Sequence, residues 1–156
     1  MTSTVAIRPA SARDLDTLVP LYRAFFDEDR IATPTEALRA NLALMLADSR
    51  ARILLAEEDG TPLGLAAGSL TYGVEFGCAA ELEDLYVRPV ARGRGLARRL
   101  AQAVLDWAAA EGAGKVYLVI TPEAEADQGL TRFYERLGFA RSGRITMFRT
   151  PGAPGT

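Results

Sequence analysis

Apolar positions along this chain repeat with two periods, and each period predicts a different element. Residues 4–10, TVAIRPA, alternate briefly and predict a strand ending at Pro9. Ser11 with Asp14 resembles a capping box and opens a helix through residues 12–29, ARDLDTLVPLYRAFFDED. Pro20 lies inside that pattern and is expected to kink or split the helix. Thr33-Pro34-Thr35-Glu36 starts a second helix, with Thr33 as cap and proline in the first turn, and residues 37–48 continue it at helical spacing. Residues 52–73, RILLAEEDGTPLGLAAGSLTYG, predict a hairpin turning at EEDGTP, and AAELEDLYV, residues 79–87, predicts another strand. A long amphipathic helix follows over residues 95–114, with Leu96, Leu100, Val104 and Trp107 as core positions and glycines at its end. KVYLVI, residues 115–120, reads as a buried strand, residues 127–138 as a helix and RITMFRT, residues 144–150, as a final strand. The closing PGAPGT, residues 151–156, reads as a disordered tail. No linker divides the chain, so residues 1–150 are expected to form a single α/β domain: a central sheet of mixed direction with helices on its faces.

The totals narrow the chemistry. At 156 residues the chain can bury a proper core. No apolar run approaches the roughly 20 residues that span a bilayer, and the N-terminus lacks the pattern of a secretory signal. One cysteine, Cys78, excludes an internal disulfide and makes a reducing cytoplasm the default. There is no histidine, which removes Ser-His-Asp and Cys-His catalysis and leaves no expected metal site. Acid and base work falls to Asp, Glu, Tyr or the single lysine, Lys115. The net charge of −2 is unevenly spread: residues 1–87 hold 14 acids against seven arginines, and residues 88–156 hold six acids against ten arginines and the lysine. This is either chance variation on a solvated surface or an acidic half for a cationic ligand and a basic half for an anionic one.

Residues 81–100, ELEDLYVRPVARGRGLARRL, concentrate the candidate chemistry. The strand ends near Val87 and Pro89 stops simple pairing. Arg92-Gly93-Arg94-Gly95-Leu96-Ala97 then leads into a helix. Two glycines permit a tight turn and close approach of a ligand to the main chain. The first helical turn has unpaired N–H groups and a partial positive charge, so the junction is an anion site suited to phosphate. It is neither a Walker A loop nor Gly-x-Gly-x-x-Gly, because Arg98 holds the third glycine position. Arginines 88, 92, 94, 98 and 99 admit a nucleic-acid reading, but the acidic total and the lack of a wider basic stripe argue against it.

Arg92-x-x-Gly95-x-Ala97 resembles the Arg/Gln-x-x-Gly-x-Gly/Ala signature of the GNAT superfamily of N-acetyltransferases. The strand ending in Val87, the proline, the Leu-rich helix and the segment RFYERLGF, with Tyr134 before Gly138-Phe139, are similar to that family's pattern, and so is the element order. The resemblance implies a GNAT-type mixed sheet flanked by about four helices. It implies acetyl-CoA as co-substrate, its pyrophosphate on the amides of Arg92, Gly93, Arg94, Gly95, Leu96 and Ala97, and its pantetheine arm along Leu85, Tyr86 and Val87. Asp127 stands where many members have an asparagine, Leu130 replaces a frequent alanine, and TPEAEAD looks longer than usual.

The implied reaction moves an acetyl group from a thioester to a primary amine, which at a pKa of about 10.4 must first lose a proton. By simple alternation Glu81, Glu83, Leu85 and Val87 point one way and Leu82, Asp84 and Tyr86 the other, unless a bulge changes the phase. LEDLYV is similar to the corresponding strand of diamine acetyltransferases, where the position of Glu83 serves as base; Asp84 is the alternative, as in some aminoglycoside-modifying members. Tyr134 matches the family's usual proton donor to the leaving thiolate. Phe26, Glu28, Tyr72 and Glu81 are candidate acceptor contacts, with Tyr22, Phe25 and Phe76 either beside them or in the core. Cys78 has no histidine to activate it and is read as inert. The acceptor is expected to be a cationic small amine, without nucleic-acid or membrane partners. A protein lysine or N-terminus, or a non-catalytic acyl-CoA sensor, are the alternatives, and dimers are common among similar proteins.

Overall fold

Asp59 and Gly60 take φ of 50° and 78°, the pair of left-handed residues that a two-residue hairpin turn requires. They join β2 (Ala51–Glu58) to β3 (Thr61–Gly73), and β3 turns back into β4 (Gly77–Val87). In this computed structural model, which describes residues 3–152, β1 (Ala6–Pro9) pairs antiparallel with β2, and β5 (Lys115–Tyr117) pairs parallel with β4. The sheet order is β1-β2-β3-β4-β5. Residue contacts divide the chain into two compact units, Met1–Leu118 and Val119–Thr156, and the sheet lies in the first.

Two helices, α1 (Leu15–Glu28) and α2 (Thr35–Ala47), cover one face of the sheet. Leu18, Leu21, Tyr22, Phe25, Leu38 and Leu42 form one core with Ile53, Leu55, Leu65, Ala67 and Tyr86. The other face belongs to α3 (Leu96–Ala110), whose Leu96, Leu100, Val104 and Trp107 are buried as their spacing predicts. Successive side chains alternate across a strand, so Leu65 and Ala67 face α1 while Gly64 and Gly68 face α3. Among the described residues no helix is long and apolar enough to cross a membrane.

Several sequence expectations change. The helix expected to kink or split at Pro20 is one unbroken element, α1; Pro20 sits on its exposed side, where the carbonyl left without an N–H partner meets water. The second helix begins one residue later than its signal, with Pro34 rather than Thr33 as cap. The strand expected over residues 115–120 pairs only as far as Tyr117. The second unit holds two short helices, α4 (Pro122–Gln128) and α5 (Leu130–Glu135), where one was expected, which brings the described residues to five α-helices with the expected mixed sheet. Gly129, at φ 61°, separates them, and the TPEAEAD segment is α4 itself, capped by Thr121. RITMFRT forms no strand: Ile145, Met147 and Phe148 are exposed, and β propensity without a partner and a packing surface does not make a ladder. Of the tail, residues 153–156 lie outside the described residues.

One close approach fixes β3 against β4. A Cβ at Gly64 would lie 2.6 Å from the Tyr86 carbonyl oxygen and 3.2 Å from a Leu100 methyl. Gly64→Ala is therefore expected to lower stability by about 1–3 kcal/mol. Urea unfolding checks this as a lower midpoint with an unchanged slope.

Candidate active site

The distal half of β4 has a ladder on one edge only. Its pairing with β5 ends at Glu81–Tyr117, while its pairing with β3 continues to Val87. The Arg88 N–H donates to the Leu63 carbonyl at 2.8 Å, so Tyr86 shares the next paired position with Leu65. Alternation then turns the N–H and C=O of Leu85 and Val87 away from β3. The Val87 carbonyl accepts from Arg92 Nε at 2.9 Å. The Leu85 main chain and the Val87 N–H face the open edge.

A bulge sits at the head of this segment. Ala67 opposes Asp84 but Gly68 opposes Leu82, which leaves Glu83 without a partner. The extra residue shifts the phase. The simple alternation, which set Glu81 and Asp84 on opposite faces, is therefore corrected: Glu81, opposite Ser69, and Asp84, opposite Ala67, share the α1 face, with Tyr86 beyond them. Leu82 turns to the α3 face, and Glu83 is exposed at the bulge.

The three carboxylates differ in environment. The Tyr22 hydroxyl donates to Asp84 Oδ2 at 2.9 Å. Burial pushes the Asp84 carboxyl up to about 6; the Tyr22 hydroxyl draws it back, and the charges of Glu83 and Glu81 add to the rise. Burial also raises Glu81, helped by Glu83 and opposed by the hydroxyl of Tyr117. Burial and the neighbouring Asp84 hold the Tyr22 phenol well above its ordinary range, so it is a proton donor at neutral pH.

At the other end β4 runs through a 3-10 turn, Pro89–Ala91, into the glycine junction. Gly93 and Gly95 take φ of 77° and 75°, and a Cβ at either would meet open space; backbone conformation, not crowding, requires glycine. Gly95 caps α3 without a side-chain bond, so the first-turn amides of Leu96, Ala97 and Arg98 have no intrahelical acceptor. Most of the arginines here are already engaged. Arg92 reaches Glu28 of α1 at 2.6 Å and lies 5.9 Å above the Tyr86 ring. Arg94 pairs with Glu58 at 2.8 Å, Arg88 donates to the Pro62 carbonyl, and Arg99 donates to the Val5 carbonyl. Arg98 is exposed, with no hydrogen bond or ion pair among the described residues.

Glu28, expected to meet an acceptor, and Arg92, expected to meet a cofactor, thus contact each other. Phe26 packs edge-on to Tyr22 at 5.6 Å, and Tyr86 stacks on Phe25 at 5.2 Å. Tyr72 stands apart: it opposes Cys78 at the far end of the β3–β4 pair and lines a cavity of about 460 Å³ that includes none of the β4 carboxylates. In the second unit Tyr134 is buried on α5, with Phe133 and Phe139 edge-on at 5.0 and 5.7 Å, and Asp127 is exposed on α4. The contact that sequence reasoning missed is Tyr22 to Asp84. Its one signal was a polar-tipped aromatic inside the apolar stripe of α1.

Residues 15–139 match the model of the Acetyltransferase (GNAT) family, a stretch that runs through both units. Glucosamine 6-phosphate N-acetyltransferase 1 of Oryza sativa subsp. japonica is 36% identical over 111 residues, which cover 67% of this chain and 62% of that protein's length. A phosphinothricin N-acetyltransferase of Streptomyces coelicolor is 31% identical over 150 residues, covering 91% of this chain and 85% of the relative. The solved structure of an aminoglycoside N-acetyltransferase in complex with CoA matches with a TM-score of 0.81 over 97% of both chains at 24% identity, a likeness of fold.

Asp84 ties the site to stability. Its folded-state pKa of about 6 lies above the ordinary 3.8, so ionising it costs the folded state. That cost is absent below the ordinary value, grows as pH rises through about 6 and is complete above it. Asp84→Asn keeps an acceptor for Tyr22 and removes the buried charge. It is expected to be more stable than the parent at pH 8, by about 1–3 kcal/mol. The difference should shrink as pH falls below 6, which urea unfolding at several pH values checks.

Proposed function

Since this chain belongs to the GNAT family of acetyltransferases, we propose that it transfers an acetyl group from acetyl-CoA to the primary amine of a cationic small molecule. The observation that carries this reading is the run from an unpaired strand edge, at Leu85 and Val87, into a glycine turn with free first-turn amides. The donor set fits the cofactor. Amides at Gly95 to Arg98 and the exposed Arg98 suit a diphosphate, and the Leu85 and Val87 main chain suits the amide groups of a pantetheine arm.

Bound there, acetyl-CoA supplies an acetyl carbon activated as a thioester. The residues of the chain do the rest. A carboxylate at the bulge, Glu83 or Asp84, takes a proton from the ammonium of the acceptor. The freed nitrogen forms the C–N bond as the C–S bond breaks, and a second proton leaves the nitrogen. The sulfur takes up one proton, so the net products are an amide, a thiol and one proton. The N–H groups on the open edge are placed to stabilise negative charge on the acetyl oxygen. Glu81, Glu83 and Asp84 give the acceptor side its attraction for cations. The relatives' names point to small amines rather than protein lysines: glucosamine 6-phosphate in rice and phosphinothricin in Streptomyces coelicolor.

Thiol release from acetyl-CoA across a panel of small amines tests this. Turnover is expected with amines that carry a second positive charge, and Glu83→Gln combined with Asp84→Asn should lower kcat/KM by about 10²–10⁴. Calorimetry should show CoA binding that weakens in salt and weakens further in Arg98→Ala. No thiol release with any amine, together with intact CoA binding, would leave an acyl-CoA sensor instead.

A further inference from the structure

We infer that Asp84, not Glu83, is the proton acceptor at the bulge, and that Tyr22 is the residue that positions it. This rests on the transferase reading above and specifies its base. Three observations carry it. The bulge re-aims the chain: without the unpaired Glu83, Asp84 would share the face of Leu82 beneath α3, and with it Asp84 meets α1. Tyr22 then fixes the carboxylate. Its ring is buried and held edge-on by Phe26 at 5.6 Å and tilted against Phe25 at 6.1 Å, so its hydroxyl is presented to Oδ2 in one geometry. The remaining oxygen, Oδ1, has no hydrogen-bond partner among the described residues, and is the atom left to receive a proton.

Glu83 lacks such support. It is exposed and makes no hydrogen bond or ion pair among the described residues. A base acts through geometry first and proton affinity second, and of these two carboxylates only Asp84 has its rotamer fixed by a partner. The groups acting on Asp84 are Tyr22 from α1 and Glu81 and Glu83 from β4; β3 presents the apolar Ala67, and Tyr117 of β5 acts on Glu81 rather than on Asp84. Glu83 and Glu81 thus raise the proton affinity of Asp84, and Tyr22 restrains it.

The arrangement predicts opposite pH shifts from two substitutions. Asp84 must be ionised to accept a proton, so kcat/KM should rise with pH through about 6. Tyr22→Phe keeps the packed ring but removes the donor that favours the ionised form, so the rise moves to higher pH. A displacement of about one unit, the size expected for one charge-assisted hydrogen bond, lowers kcat/KM about fivefold at pH 6 and barely changes it at pH 8. Glu83→Gln removes a neighbouring negative charge, so the rise moves to lower pH. Carbon-13 NMR of the Asp84 carboxyl in the unliganded protein should show the same two shifts. Shifts of opposite sign in both measurements support the proposal. Turnover that falls equally at all pH values in Tyr22→Phe, or survives in Asp84→Asn, overturns it while leaving the transferase reading intact. A parent protein that acetylates no amine defeats that reading and this role with it.

Discussion

A backbone N–H or C=O that faces no ladder must find a partner elsewhere, and past Glu81 that requirement governs β4. On one side β3 satisfies it through Val87; on the other β5 has ended its pairing. The rest of the site follows from this half-satisfied strand. Arg92 serves the Val87 carbonyl from the loop, and the Leu85 main chain and the Val87 N–H have no partner strand on that edge. The glycine turn extends the same condition into α3, whose first-turn donors are uncapped. Two stretches of unpartnered main chain, the free edge at Leu85 and Val87 and the first turn of α3, thus flank a hydrogen-bonded turn at residues 88–92.

Arginine abundance in this region is mostly architectural. The charge asymmetry along the chain resembles two binding surfaces, but Arg92–Glu28 and Arg94–Glu58 join the basic stretch to the acidic one. Within the acidic stretch itself, Arg8 bridges Asp14 at 2.8 Å and Glu57 at 2.6 Å and lowers the Asp14 carboxyl to about 2. The first-turn amides of α3 and the Arg98 side chain remain without partners among the described residues. Long-range potential therefore depends on residual, not total, charge in the loop.

Much of this was legible in the chain because its signals are local. Asp59-Gly60 marks a turn by conformation alone, the stripes of α1 and α3 mark their buried faces, and Gly93 with Gly95 mark a strand-to-helix junction. The bulge was not legible, because register belongs to two strands at once: nothing in ELEDLYV says that Gly68 will oppose Leu82. The side-chain faces followed that error. The extra helix α4 was missed although Thr121-Pro122-Glu123 uses the same start signals as residues 33–36, and a strand pattern at residues 144–150 went without a ladder. The ion pairs join residues 36 and 64 positions apart, beyond the reach of any local pattern.

The Glu28–Arg92 contact has a thermodynamic corollary. It joins the C-terminal turn of α1 to the loop that precedes α3. An anion that competes for the guanidinium must work against the carboxylate, and a cation that competes for the carboxylate must work against the guanidinium. Two such ligands each remove the cost the other would meet, so each tightens the other's binding by the same factor, whichever arrives first.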